Sequence, residues 1–228
     1  MAKDVTLADI AAQVGVSNVA VSKALSGKPG VSDGLRMRNM PSIAFDTVIS
    51  DGYYGTYLLT NYLIRHGHKK IGFVGNVDAT NSIADRFWGY RKALRQNNII
   101  FENQWEISDR SKYGKIYDKI LTRRIEMDAY VCNCDLAAYT LIQDLEELGY
   151  SVPEDVSVVG FDDFLPGGVG REGDRITSYS VDMDRMAEIC VKSLIKKIKH
   201  KKYVEGVQIV AGRIVEKRTV KSRKEKII

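Results

Sequence analysis

No apolar run in this 228-residue chain approaches the roughly 18–20 residues that span a bilayer, which excludes a membrane-crossing helix. Nor does the start, Met1-Ala2-Lys3-Asp4, lead into an apolar stretch of the signal-peptide kind, so a cytoplasmic location without membrane attachment is expected. Cysteine is scarce. Cys132, Cys134 and Cys190 are too few and too unevenly spaced for a disulfide framework, which fits a reducing compartment. Aromatic residues are missing altogether from residues 1–27. What remains is 44% apolar and 28% charged, close to globular averages, so wholesale disorder is excluded and one or two domains are expected.

The net charge of +5 is unevenly spread. Residues 1–40 carry five basic and three acidic side chains, residues 41–195 carry 17 and 23, and residues 196–228 carry 12 and 3. The basic excess therefore lies at the two ends, where it can meet phosphate or simply be solvated.

From about residue 43, short apolar runs alternate with amphipathic stretches. The runs are Ser42-Ile43-Ala44-Phe45, Ile71-Gly72-Phe73-Val74, Ala129-Tyr130-Val131-Cys132 and Val156-Ser157-Val158-Val159, each bounded by Pro, Gly, Asn or Asp as a buried strand should be. Helical spacing runs over 54–65, 86–97 and 136–148, with Gly67 and Gly149 placed as left-handed stops. Strand and helix alternating in this way predict βαβ units and a parallel sheet.

The N-terminal stretch has a different grammar. Thr6-Leu7-Ala8-Asp9-Ile10-Ala11 reads as a capped helix with Leu7, Ile10, Ala11 and Val14 as its apolar stripe. Gly15 permits a sharp turn, and Ser17 can cap a second helix running to about Leu25. Small Ala11, Gly15 and β-branched Val21 let two helices cross steeply, as in a helix-turn-helix, although an ordinary helical hairpin has the same spacing. In the first arrangement Asn18, Val19 and Ala20 enter the major groove of double-stranded DNA with Lys23 one turn on, while Thr6, Ser17 and Ser22 offer hydroxyls to phosphates.

Val5-Thr6-Leu7-Ala8-Asp9-Ile10-Ala11, Gly15-Val16-Ser17 and Val21-Ser22-Lys23-Ala24-Leu25-Ser26-Gly27 together resemble the headpiece of lactose-repressor (LacI) family transcription regulators, with Lys23 where that family more often has Arg. A second, independent likeness runs from about Met40 to the end. It includes residues 40–46, Gly67-His68-Lys69-Lys70-Ile71-Gly72-Phe73-Val74-Gly75, Arg86-Phe87-Trp88-Gly89-Tyr90 and Val152-Pro153-Glu154-Asp155-Val156 through Asp163. These are similar to the family's effector-binding domain, which has the periplasmic-binding-protein fold.

The resemblance implies a small all-α helix-turn-helix headpiece at 1–36, followed by an α/β effector domain at 37–228. Within the latter, 54–160 would form the C-terminal subdomain, and 40–46 with 174–228 a remnant of the N-terminal subdomain and its crossovers. Family members are longer by about 100 residues, beyond ordinary scatter in length. The shortfall falls after Arg36: most of the headpiece's third helix, the hinge helix and the opening strands of the N-terminal subdomain have no counterpart.

The same resemblance carries an effector-binding role onto four positions. Asp46 would accept sugar hydroxyls, or else cap a turn. Arg86, read as opening a helix, would bind hydroxyl or carboxylate groups, or else pair with neighbouring Asp85. Cys134 stands where the family usually has Asn, which changes the donors and acceptors on offer. Asp162 falls at the carboxyl end of a strand, where open α/β sheets bind ligands. Asp135 reads as structural.

Other features carry less. Cys132-x-Cys134 lacks the second pair of a zinc site, and His66 and His68 flank a helix stop, so no metal is expected. Gly167-Gly168-Val169-Gly170 fits no dinucleotide fingerprint and reads as a flexible crossover, so no cofactor is expected. Asp162-Asp163 have no nucleophile or base partner at suitable spacing, so no enzyme is expected. The expectation is a DNA-binding repressor, a homodimer on a palindromic operator, controlled by a small carbohydrate-like effector. The rival is an internally truncated remnant, an interaction module that dimerises without repressing.

Overall fold

Runs such as Ile71-Gly72-Phe73-Val74 are apolar without alternation, the pattern of strands covered on both faces. A computed structural model describes residues 46–110, 119–121, 126–165 and 175–223 and bears this out. Its elements in chain order are β1 (Thr47–Ser50), α1 (Gly52–Arg65), β2 (Ile71–Val74), α2 (Asn81–Gln96), β3 (Glu106–Ile107), β4 (Ala129–Cys132), α3 (Asp135–Glu147), β5 (Ser157–Asp162), β6 (Thr177–Ser180), α4 (Met183–Ile198), β7 (Val207–Val210) and β8 (Arg213–Val215). The chain divides into two compact units, 1–46 and 47–228. Of the first, only Asp46 is among the described residues, so the expected headpiece and the Ser42–Phe45 strand lie outside them.

Six strands form one sheet in the order β3-β2-β4-β5-β6-β8, parallel except for the antiparallel β6–β8 pair at its edge. Two segments from the stretch assigned to crossovers and remnant, Thr177–Ser180 and Arg213–Val215, thus extend the main sheet rather than standing apart from it. Without β6, the backbone groups along the free edge of β5 would lack their ladder partners. A separate two-stranded parallel sheet pairs β1 with β7 in register Thr47↔Val207 to Ser50↔Val210.

One core face packs Leu59 and Leu63 of α1 and Phe87, Tyr90 and Leu94 of α2 against Phe73, Val131, Val159 and Phe161. The other packs Leu141, Ile142 and Leu145 of α3 against Val74, Tyr130, Cys132 and Val158. The expected helix over 86–97 begins earlier, at Asn81. Thr80 caps it, its hydroxyl accepting from the Ile83 amide at 3.2 Å, and the apolar stripe starts with buried Ile83. Arg86 therefore sits in the second turn of α2 and does not open it. Gly67 and Gly149 do follow α1 and α3 with φ of 92° and 86°, the left-handed stops read from sequence.

Candidate functional site

Parallel strands deliver their carboxyl ends to one edge, and the residues that follow β2, β4 and β5 meet there. Arg86 reaches this edge from α2. Its side chain is 11% exposed and donates from Nη2 to Asp162 Oδ1 at 3.1 Å and from Nη1 to the Asn133 carbonyl at 2.5 Å. The guanidinium lies 3.9 Å from the centre of the Phe161 ring, a cation–π contact, and Phe161 in turn stacks on Tyr179. Nε is buried without a hydrogen-bond partner among the described residues. Neighbouring Asp85, offered as an alternative partner, is not the one Arg86 takes.

Asp162 ends β5 with φ of 98°, and Asp163 follows with φ of 55°; two consecutive non-glycine residues in the left-handed region store strain of the kind found at binding sites. Burial pushes the Asp162 carboxyl up, and Arg86 only partly offsets that. Asp163 turns away to pair with Lys217 at 2.7 Å.

Beneath them lies a polar floor that was not foreseen. Asn133 Nδ2 donates to the Val74 carbonyl at 3.1 Å and to buried Asp109 at 3.0 Å, and Asp109 also accepts from the Asn76 amide at 3.0 Å. Asp135 is buried as expected of a structural residue: Ser178 Oγ donates to it at 2.6 Å and the Phe164 amide at 2.7 Å. Burial raises its pKa to about 7 despite those donors. Gly160 admits this carboxylate, since a Cβ there would lie 2.0 Å from Asp135 Oδ1. Phe164, 63% exposed, stands beside the floor as an open aromatic surface.

Of the four expected effector contacts, the fold brings Arg86 and Asp162 into direct contact. Cys134 is the N-cap of α3, its Sγ accepting from the Ala137 amide at 3.5 Å, and neighbouring Asn133 supplies a buried amide. Asp46 directly precedes β1 and closes the first compact unit. Asn133 and Asp109 left only faint signals, a polar residue directly after an apolar run and a carboxylate in a loop. The seven DNA-contact candidates lie outside the described residues. So does the Gly167–Gly170 crossover.

The tempting metal ligands are placed otherwise. Cys132 is buried inside β4, and His68 Nε2 meets the Lys221 carbonyl at 3.1 Å with Nδ1 3.5 Å from Asp128. His66 Nδ1 meets the Tyr62 carbonyl at 2.8 Å. Among the described residues no cluster of His, Cys, Asp or Glu could hold a metal ion, and no helix is long and apolar enough to cross a membrane.

Residues 60–220 match the family described as "Periplasmic binding protein-like domain". Curated relatives include the HTH-type transcriptional repressor PurR of Photorhabdus laumondii, 29% identical over 197 residues that cover 80% of this chain and 57% of the relative. The PurR repressor of Pectobacterium atrosepticum is 29% identical over 185 residues, 77% of this chain and 52% of the relative. The chain thus spans little more than half the length of these relatives. Among solved structures, a LacI family transcriptional regulator from Enterococcus faecium with bound ribose superposes with a TM-score of 0.64 at 21% identity, covering 81% of this chain and 68% of that one. A periplasmic binding protein/LacI transcriptional regulator from Alkaliphilus metalliredigens complexed with D-xylulofuranose gives 0.66 at 21% identity, covering 78% and 66%.

Proposed function

The chain belongs to the periplasmic binding protein-like domain family, alongside lactose-repressor regulators, and from that membership we propose a cytoplasmic DNA-binding repressor governed by a small carbohydrate-like effector. The observation that carries the effector half is Arg86, held over Phe161 and paired with Asp162 at the carboxyl edge of the sheet. A fixed guanidinium, a carboxylate and a nearby exposed ring at Phe164 suit a ligand with many hydroxyls and an apolar ring face. The ribose and xylulofuranose named with the two solved structures support that ligand class. The reading is of a binder without a catalytic step.

The DNA half rests on Thr6, Ser17, Asn18, Val19, Ala20, Ser22 and Lys23 and on the PurR relatives' being HTH-type transcriptional repressors. Two copies on a palindromic operator would present two such segments, and effector binding would alter operator affinity, a coupling typically of about 1–3 kcal/mol. Calorimetric titration of the whole chain with a panel of pentoses, hexoses and disaccharides is expected to find saturable binding. A folded chain silent to every sugar would remove the effector reading. Mobility shift on a palindromic operator library, repeated with Asn18→Ala and Lys23→Ala, tests the other half. Binding that ignores DNA sequence in all three proteins would remove it.

The rival, an interaction module that does not repress, draws its support from α4, which buries no residue fully.

A further inference from the structure

Trp88, Arg91, Lys92 and Arg95 fall at i, i+3, i+4 and i+7 of α2, so one face of that helix carries an indole and three cations. Such a cluster is out of keeping with its surroundings, because residues 41–195 hold 17 basic and 23 acidic side chains. Two further segments complete the surround. Tyr53 of α1 comes up against this part of α2, where a Cβ added to Gly89 would lie 2.0 Å from the Tyr53 carbonyl oxygen. At its far end α2 stops in a Schellman motif, with Asn98 at φ of 57° in the position glycine usually fills. The Asn98 amide donates to the Arg95 carbonyl at 3.2 Å and the Ile99 amide to the Leu94 carbonyl at 3.0 Å, which turns the chain back along the helix. Phe101 then packs edge-on against Phe87 and Tyr90, with ring centres 5.8 and 6.2 Å apart, and the Arg91 guanidinium sits 3.8 Å from the centre of its ring.

These segments enclose a groove of about 680 Å³ bounded by Tyr53, Trp88 and Phe101. That volume falls within the roughly 300–1,000 Å³ of small-molecule pockets. Its lining holds three cations, Arg91, Lys92 and Arg95, and no carboxylate. Arg91 is half-buried and fixed by its ring contact, whereas Lys92 and Arg95 are exposed and form no ion pair with a described residue. Trp88 is 55% exposed and Ile100 84%, so apolar surface opens onto the same concavity. Solvation accounts for exposed lysine and arginine, but not for an indole and a tyrosine ring gathered beside them. From Trp88 to Arg95 the helix rises about 10 Å, at 1.5 Å per residue, the length of a fused two-ring acid.

We infer that this groove is a second small-molecule site, one that takes an aromatic acid: a planar ring system stacked against Trp88 and Tyr53, its anionic group met by Lys92 and Arg95. Stacking selects the ring and the two cations select the charge. None of these residues belongs to the Arg86–Asp162 edge, so the groove stands whether or not a sugar binds there.

Calorimetric titration of the full chain with naphthalene-2-carboxylate tests it, with the neutral naphthalene-2-carboxamide and the saturated cyclohexanecarboxylate as controls. Naphthalene-2-carboxylate should bind saturably at one site, and each control at least tenfold more weakly. Trp88→Ala, and Lys92→Gln combined with Arg95→Gln, alter exposed side chains, so both proteins should keep the helical content of the parent while losing at least tenfold in affinity. The chain's other tryptophan, Trp105, is buried, so indole N–H resonances report the place of binding. The resonance that Trp88→Ala removes is the one naphthalene-2-carboxylate should move most. Any of three results overturns the inference: no saturable binding of naphthalene-2-carboxylate, a control that binds as tightly, or an affinity that either altered protein leaves unchanged.

Discussion

Asp135 is buried yet ionisable near neutrality, and its position explains both facts. The carboxylate enters where Gly160 leaves room and receives the Ser178 hydroxyl and the Phe164 amide, but these two donors do not replace the water it has lost. With a folded-state pKa of about 7 against an ordinary 3.8, the folded protein keeps a proton that the unfolded chain releases between those values. The stability linked to this proton is greatest below about pH 4 and declines as pH rises toward 7. Asp135→Asn can donate to Ser178 Oγ and accept from the Phe164 amide, so it should remove that decline, a difference on the order of a few kcal/mol across the range. Urea melts of both proteins from about pH 4.5 to about pH 7.5 measure it, and parallel profiles would show that Asp135 does not titrate there. Arg86 is held by different means: its two hydrogen bonds and its ring contact all come from residues at strand ends. Arg86→Ala leaves half-buried Asp162 without the cation it pairs with, so it should both destabilise the fold and weaken sugar binding by roughly tenfold to a hundredfold. Calorimetry at a temperature where the variant remains folded separates the two effects.

At the scale of elements, the site depends on how closely α1 and α2 approach. Gly89 makes that approach possible, because an added Cβ would stand 2.0 Å from the Tyr53 carbonyl oxygen. Thr56 Oγ1 then bridges the pair, donating to the Arg86 carbonyl at 2.6 Å, so the crossing of these helices also sets where Arg86 starts. Gly89→Ala should therefore force the helices apart, costing about 1–3 kcal/mol in denaturant unfolding and weakening sugar binding along with stability. Gly149→Ala offers a contrast. Its φ of 86° makes alanine strained, but nothing lies near the added Cβ, so about 1 kcal/mol of stability should be lost with sugar affinity intact. Equal loss of affinity in both variants would uncouple the α1–α2 crossing from the site. The two-stranded sheet is built differently from the six-stranded one. Parallel strands are normally covered on both faces, yet Val207 and Ile209 of β7 are each more than half exposed. That leaves β1, β7 and α4 as the apolar side of this unit that lacks cover among the described residues.

For the molecule as a whole, a ligand that binds only the folded state adds stability by mass action, about 2.7 kcal/mol at a hundredfold excess over its dissociation constant. A sugar that fits the site should accordingly raise the melting temperature of the chain in a concentration-dependent way. The same sugar should shift Arg86→Ala only at roughly tenfold to a hundredfold higher concentration, and thermal melting across a titration provides the check. Such a screen tests the proposed effector class without any DNA present.

The alternation of strands and helices was legible from residue 71 to 159 because an apolar run bounded by turn residues, and a stripe at helical spacing, are local consequences of burial. Ile71–Val74 and Ala129–Cys132 lie where their composition placed them. Arg86 was marked by resemblance, and Asp162 by resemblance and by its place at a strand's carboxyl end, but nothing in spacing joins residues 76 positions apart. Their contact, the Asn133–Asp109 floor and the joining of Thr177–Ser180 to β5 depend on strand order and helix crossing, which no local pattern encodes. Local preference wrote the elements. Which side chains lose their water together, and so which charges must find one another, followed only once the sheet had assembled.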